Sequence, residues 1–121
     1  MEEQSYSYDF AEYNGKIEMN IHLDSLNNNE SAKIKAYMEK LVERLNIVPY
    51  PSTKLSKYLR DGIFELRVPL KNKISRCLYF FVKGKLIIFT HGFIKTTDKT
   101  PNSEIDKAIK IRDYLRRNEN E

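Results

Sequence analysis

Apolar residues alternate with polar ones along several stretches of the chain and recur every three to four positions along others. Tyr6, Tyr8 and Phe10 alternate, which predicts a half-buried strand. Asn14-Gly15 predicts a tight turn after it. The next segment carries both periods: Ile17, Met19, Ile21 and Leu23 alternate, whereas Met19, Leu23 and Leu26 lie at helical spacing. From Ser31 to Asn46 the period is helical, with Ile34, Met38, Leu41 and Leu45 on one stripe and Asn29 as the expected N-cap. Pro49 and Pro51 close that helix, and Ser52 to Leu59 reads as a short second one ending at Gly62.

Three alternating segments follow. Phe64, Leu66, Val68 and Leu70 share one face and leave Glu65 and Arg67 on the other. Leu78 to Val82 is apolar on both faces, as expected of a central strand. Lys83-Gly84 predicts a two-residue hairpin, and Leu86 to His91 returns antiparallel. Thr100 as N-cap and Pro101 at the first helical position start a last helix with the stripe Ile105, Ala108, Ile109, Arg112 and Leu115. The expected fold is α+β: one small domain over residues 1–121, a twisted antiparallel sheet with N-terminal helices on one face and a C-terminal helix. Residues 115–121 read as a charged, frayed end.

Composition narrows the class. With 121 residues, 40% of them hydrophobic, the chain has room for one domain and a modest core. The longest apolar run, Cys77 to Val82, is far too short to span a bilayer. The acidic N-terminus has no apolar core of the signal-peptide kind. A single cysteine excludes an internal disulfide framework and a cysteine-rich zinc site, so a reducing cytoplasm is the expected location. Cys77, mid-strand, is expected to act as a small hydrophobe.

Charge sharpens the picture more. Residues 1–30 hold seven acids and one lysine, whereas the rest hold 20 Lys and Arg against 10 acids. A basic body favours polyanions, because each phosphate contact releases counterions. The cations are also oddly placed: Arg67 and Arg76 occupy strand positions, and Lys95 follows Gly92-Phe93. No serine–histidine–acid spacing of note, glycine-rich phosphate loop or metal-ligand cluster accompanies them, which makes a classical hydrolase the weakest reading.

From about Leu55 to Tyr114 the chain resembles the RelE/HigB-like toxins of type II toxin–antitoxin systems. The carriers are Leu59, Asp61-Gly62 and Glu65-Leu66-Arg67, then Arg76 with Leu78-Tyr79-Phe80. His91-Gly92-Phe93, Lys95, Thr97, Thr100-Pro101, Glu104-Ile105 and Ala108 complete the pattern. Asn14-Gly15-Lys16 and Leu23-Asp24-Ser25-Leu26 also look like the family's N-terminal part, where the second segment is a short helix. The family usually has two consecutive lysines after Gly-Phe; here Lys95 is followed by Thr96.

The resemblance implies an mRNA endonuclease, acting on messages in the ribosome and silenced by a helix-turn-helix antitoxin, with which it would form a heterotetramer. RNA brings its own nucleophile, the 2′-hydroxyl, so the protein must align it and stabilise charge. Arg67 and Arg76 are the candidates for neutralising the phosphorane, being planar and permanently charged. Lys95 would bind phosphate, or act as base if neighbouring cations lower its pKa. His91 is the candidate proton donor, and Tyr79 would orient the hydroxyl or stack on a base. Lys54, Lys57 and Lys99 are expected RNA contacts. The scheme needs no metal or cofactor. Two alternatives stand beside it: a toxin of the same fold that inhibits DNA gyrase, and a basic module that binds RNA without cutting it.

Overall fold

The computed structural model describes residues 5–48, 54–95 and 98–119. The predicted stop at Pro49 and Pro51, and Thr96 and Thr97 of the motif, lie outside them. In chain order the elements are β1 (Ser7–Phe10), α1 (Glu18–Asp24), α2 (Asn28–Leu45) and β2 (Ser56–Arg60). Then come β3 (Ile63–Leu70), β4 (Lys73–Val82), β5 (Leu86–Lys95) and α3 (Asn102–Glu119). The strands form one open sheet in the order β1-β5-β4-β3-β2, antiparallel throughout except that β1 runs parallel to β5. No helix among the described residues is long and apolar enough to cross a membrane.

The segment with two periods is helical. In α1 the residues at helical spacing, Met19, His22 and Leu23, are buried, and Ile21 is left 52% exposed. A strand would have put Ile21 on the same side as Met19 and Leu23. The long helix begins earlier than its stripe suggests. Its N-cap is Asn27, not Asn29: the Asn27 side chain accepts from Glu30 N at 2.8 Å and Glu30 Oε1 accepts from Asn27 N at 3.1 Å. That reciprocal pair satisfies two donors at the helix start, which Asn29 has no partner to do.

Leu55 to Leu59 does not join a helix. Ser56, Lys57 and Tyr58 pair with Leu66, Glu65 and Phe64 as edge strand β2. The reason is the turn that follows: Asp61 (φ 53°) and Gly62 (φ 81°) both adopt left-handed backbone, the geometry of a two-residue hairpin. Gly62 closes a hairpin rather than a helix. Conversely, Val82 pairs with Leu86, so the β4–β5 loop has three residues, Lys83 to Lys85, and not two. β4 is the middle strand, as its two apolar faces predict.

Each face of the sheet has its own core. On one side Ile34, Met38, Leu41 and Leu45 of α2 pack with Met19, Leu66, Val68, Cys77, Tyr79 and Phe89. Cys77 is fully buried there, and burial pushes its thiol up to about 12, so it serves as a hydrophobe. On the other side Ile105 and Ala108 of α3 pack on Ile63, Leu78 and Phe80. α3 itself starts one residue later than predicted: the Pro101 carbonyl accepts from Ile105 N, and the Thr100 hydroxyl is used elsewhere. The helix continues through Glu119.

Candidate functional site

The cations predicted to act together come together through a single extra residue. From Phe89, which faces α2, simple alternation would send His91, Phe93 and Lys95 to the same side. The β4–β5 register instead shifts between Leu78 and Tyr79: Tyr79 pairs with Phe89, and Leu78 with His91. Thr90 is the unpaired residue of a bulge, and everything after it changes face. His91, Phe93 and Lys95 therefore lie opposite Leu78, Arg76 and Ile74 on the α3 side. Arg67 pairs with Arg76, and Lys57 with Glu65, on that same side. Gly92 is left facing α1.

Two arginines at paired strand positions would repel each other. Glu65 resolves this. Its carboxylate is fully buried and accepts from Arg76 Nη1 at 3.1 and 3.3 Å. The Thr100 hydroxyl donates to the same carboxylate, and Arg76 Nη1 also reaches Thr100 Oγ1 at 3.4 Å. Arg67 Nε lies 3.1 Å from Glu65 Oε2, within ion-pair range but not aligned as a hydrogen bond. Arg76 is only 1% exposed, whereas the Arg67 side chain is 34% exposed. One carboxylate between two guanidiniums leaves a net positive charge, and Arg67 is the group that carries it to solvent. Arg76 anchors the cluster from beneath.

The other candidates divide clearly. Lys95 is not on a loop; it ends β5, half-buried, and borders a shallow groove with Lys73, Pro69 and Leu70. Lys57 and Lys99, both exposed, line a second groove of about 250 Å³ with Arg60, Thr100 and Asn102. Thr100 belongs to both this groove and the Glu65 cluster, so the two are continuous. Lys54 is exposed just ahead of β2.

Two roles expected from sequence need correction. Tyr79 faces the opposite core, fully buried, stacked on Phe64 at 5.4 Å, with its hydroxyl 2.5 Å from Ser56 Oγ. It has no free face for a base, and burial raises its pKa. His91 is 2% exposed and engaged at both nitrogens, Nε2 at 2.9 Å from Glu104 Oε1 and Nδ1 at 3.0 Å from Thr90 Oγ1. Burial lowers its pKa more than the Glu104 hydrogen bond raises it, so the ring is neutral near pH 7 and a weak proton source. It ties the first turn of α3 to the bulge.

Three roles have no signal in the sequence: Glu65 as one carboxylate shared by both arginines rather than paired with one, Thr100 as its partner, and His22. The His22 ring lies over Gly92, and its Nε2 is 2.8 Å from Ser75 Oγ. Burial, then the proximity of His91, lowers its pKa from 6.5 to about 4. A histidine held neutral in the fold is protonated more readily once unfolded, so stability is full above pH 6.5 and falls as the pH drops from there towards 4. Urea titrations at pH 7, 6, 5 and 4 should show that decline, and His22→Gln should lessen it, leaving the part that buried His91 contributes in the same direction. An equal decline in the variant would exclude His22 as its source.

No curated protein matches the chain significantly. The model of the phage-derived Gp49-like (DUF891) family matches residues 22–113, which include α2, β2 to β5, the first two thirds of α3 and the whole cation cluster. The chain therefore belongs to the Gp49-like family, a family of RelE/HigB-like fold associated with toxin–antitoxin systems.

Proposed function

We propose that the chain is the toxin of a type II toxin–antitoxin pair and cuts mRNA, on messages held in the ribosome, by attack of the 2′-hydroxyl on the adjacent phosphate. The observation that carries this reading is the gathering of Arg67, Arg76 and Lys95 on one sheet face, beside a groove lined by Lys57 and Lys99. Arg67 and Lys95 contact the reacting phosphate, and Arg76 keeps the local potential positive from below. Rigid strands hold these charges without reorganisation, which is what stabilisation of a phosphorane requires. Lys57, Lys99 and Lys54 hold the flanking strand. A helix-turn-helix antitoxin silences the toxin in a heterotetramer.

The test is primer extension on mRNA from cells briefly expressing the chain, beside Arg67→Ala and Lys95→Ala. Discrete cuts inside translated frames, leaving 5′-hydroxyl and 2′,3′-cyclic phosphate ends, are expected. Each substitution should slow cleavage about a hundredfold, the usual loss for one charge-stabilising donor. Growth arrest with intact messages would sink the nuclease reading and direct attention to gyrase. Intact messages with normal growth would leave a binding module.

Binding has its own signature. If Arg67, Lys95, Lys57 and Lys99 each meet one phosphate, the logarithm of affinity for single-stranded RNA should fall with log salt at a slope of about −3. Lys57→Ala should make that slope shallower by about 0.7. A slope unchanged in the variant would remove Lys57 from the RNA path.

A further inference from the structure

α3 leaves part of its sheet face open. A helix is about 10 Å across and strands lie about 4.8 Å apart, so one helix shields roughly two strands of a sheet. Beneath α3, Ile63, Leu78 and Phe80 are buried, but Val82, Ile88 and Leu115 stay half-buried at the rim. They border a slot of about 280 Å³ between the end of α3 and the β4–β5 hairpin, lined also by Phe80 and by the exposed Lys83 and Arg116. Val82 is six residues along β4 from Arg76, about 20 Å at strand rise, so the slot is separate from the cation cluster.

We propose that this slot receives an apolar segment of the antitoxin that carries acidic side chains. The inference rests on the toxin–antitoxin reading. The floor supplies apolar area that one helix cannot cover, and the cations select the charge of the occupant. A second copy of this chain fits poorly, because it would bring Lys83 and Arg116 against their own counterparts.

The test uses the full chain and the purified product of the adjoining reading frame, with affinity measured by calorimetry in 0.15 M salt. Lys83→Glu/Arg116→Glu should raise Kd about a hundredfold, and Leu115→Gln about tenfold. RNA affinity should stay within about threefold in both, since the slot lies beyond a Debye length from the cluster. Thermal melting checks that each variant is folded. Unchanged antitoxin affinity in both variants would overturn the proposal. So would a wild-type chain that does not bind the neighbouring product; the message-cleavage result would then decide the nuclease reading separately. Self-association of the wild type that Leu115→Gln abolishes would assign the slot to a second copy and equally overturn it.

Discussion

Arg76→Ala should lower the free energy of unfolding by about 3–5 kcal/mol, a large share of what a domain of this size has. The cause is the carboxylate left behind. Glu65 is fully buried, and its two close contacts with Arg76 Nη1 are what compensate its charge there. Arg67 remains, but its buried Nε is not aligned to donate to Glu65, so it does not replace the hydrogen bonds that Arg76 makes. Thr100 would still donate, yet a hydroxyl does not neutralise an ion. Removing both charges together should cost far less, so Glu65→Leu/Arg76→Met is expected to recover most of the lost stability. Urea denaturation of the two single variants and the double variant measures the coupling. An Arg76→Ala protein within about 1 kcal/mol of wild type would show that Glu65 does not depend on Arg76.

This has a direct bearing on function. Loss of toxicity in Arg76→Ala would follow from an unfolded chain as readily as from a damaged site. Arg67 and Lys95 are the informative positions, because their side chains reach partly into solvent and neither is the sole support of a buried charge.

Much of the fold was legible because it obeys one period at a time. The α2 stripe, the two-faced central strand and the Asn14-Gly15 turn all follow from local pattern. β2 was not legible, since Leu55 and Leu59 fit a helix as well as a strand and only pairing with β3 decides. The site was legible as residue types and hidden as geometry. Alternation alone sends Lys95 to the wrong face, because a bulge at Thr90 has no sequence signature. Arg67 and Arg76 stood out as strand cations, but their unequal burial depends on Glu65 and on Thr100 arriving from the far side of β5. Tyr79 looked like a ligand contact for the same reason that it is core: an aromatic in the middle strand has two faces available, and the register gives it the closed one.

Gly92→Ala should cost about 3 kcal/mol, although it adds a single methyl group. Gly92 has ordinary strand backbone, so conformational freedom is not why glycine is needed. The need is space: a Cβ there would lie 2.9 Å from His22 Cγ and 3.0 Å from Nε2, with Cδ2 closer still. The ring cannot move aside freely, because its Nε2 is held by Ser75 Oγ at 2.8 Å and it is buried on α1. Overpacking of this kind costs about 1–3 kcal/mol, and breaking the Ser75 hydrogen bond adds about 1. His22→Ala/Gly92→Ala should be more stable than the sum of its two single variants by about 1–2 kcal/mol, since the new methyl enters space the ring has left. Additive losses would mean that the methyl strains something other than the ring. The same contact positions the site: Gly92 lies between His91 and Phe93 and three residues before Lys95, so a ring forced off Gly92 shifts the strand that carries Lys95. Gly92→Ala should therefore slow RNA cleavage even at temperatures where the variant is fully folded, and the double variant should regain part of that rate. A folded Gly92→Ala protein that cleaves at the wild-type rate would uncouple the glycine from the site.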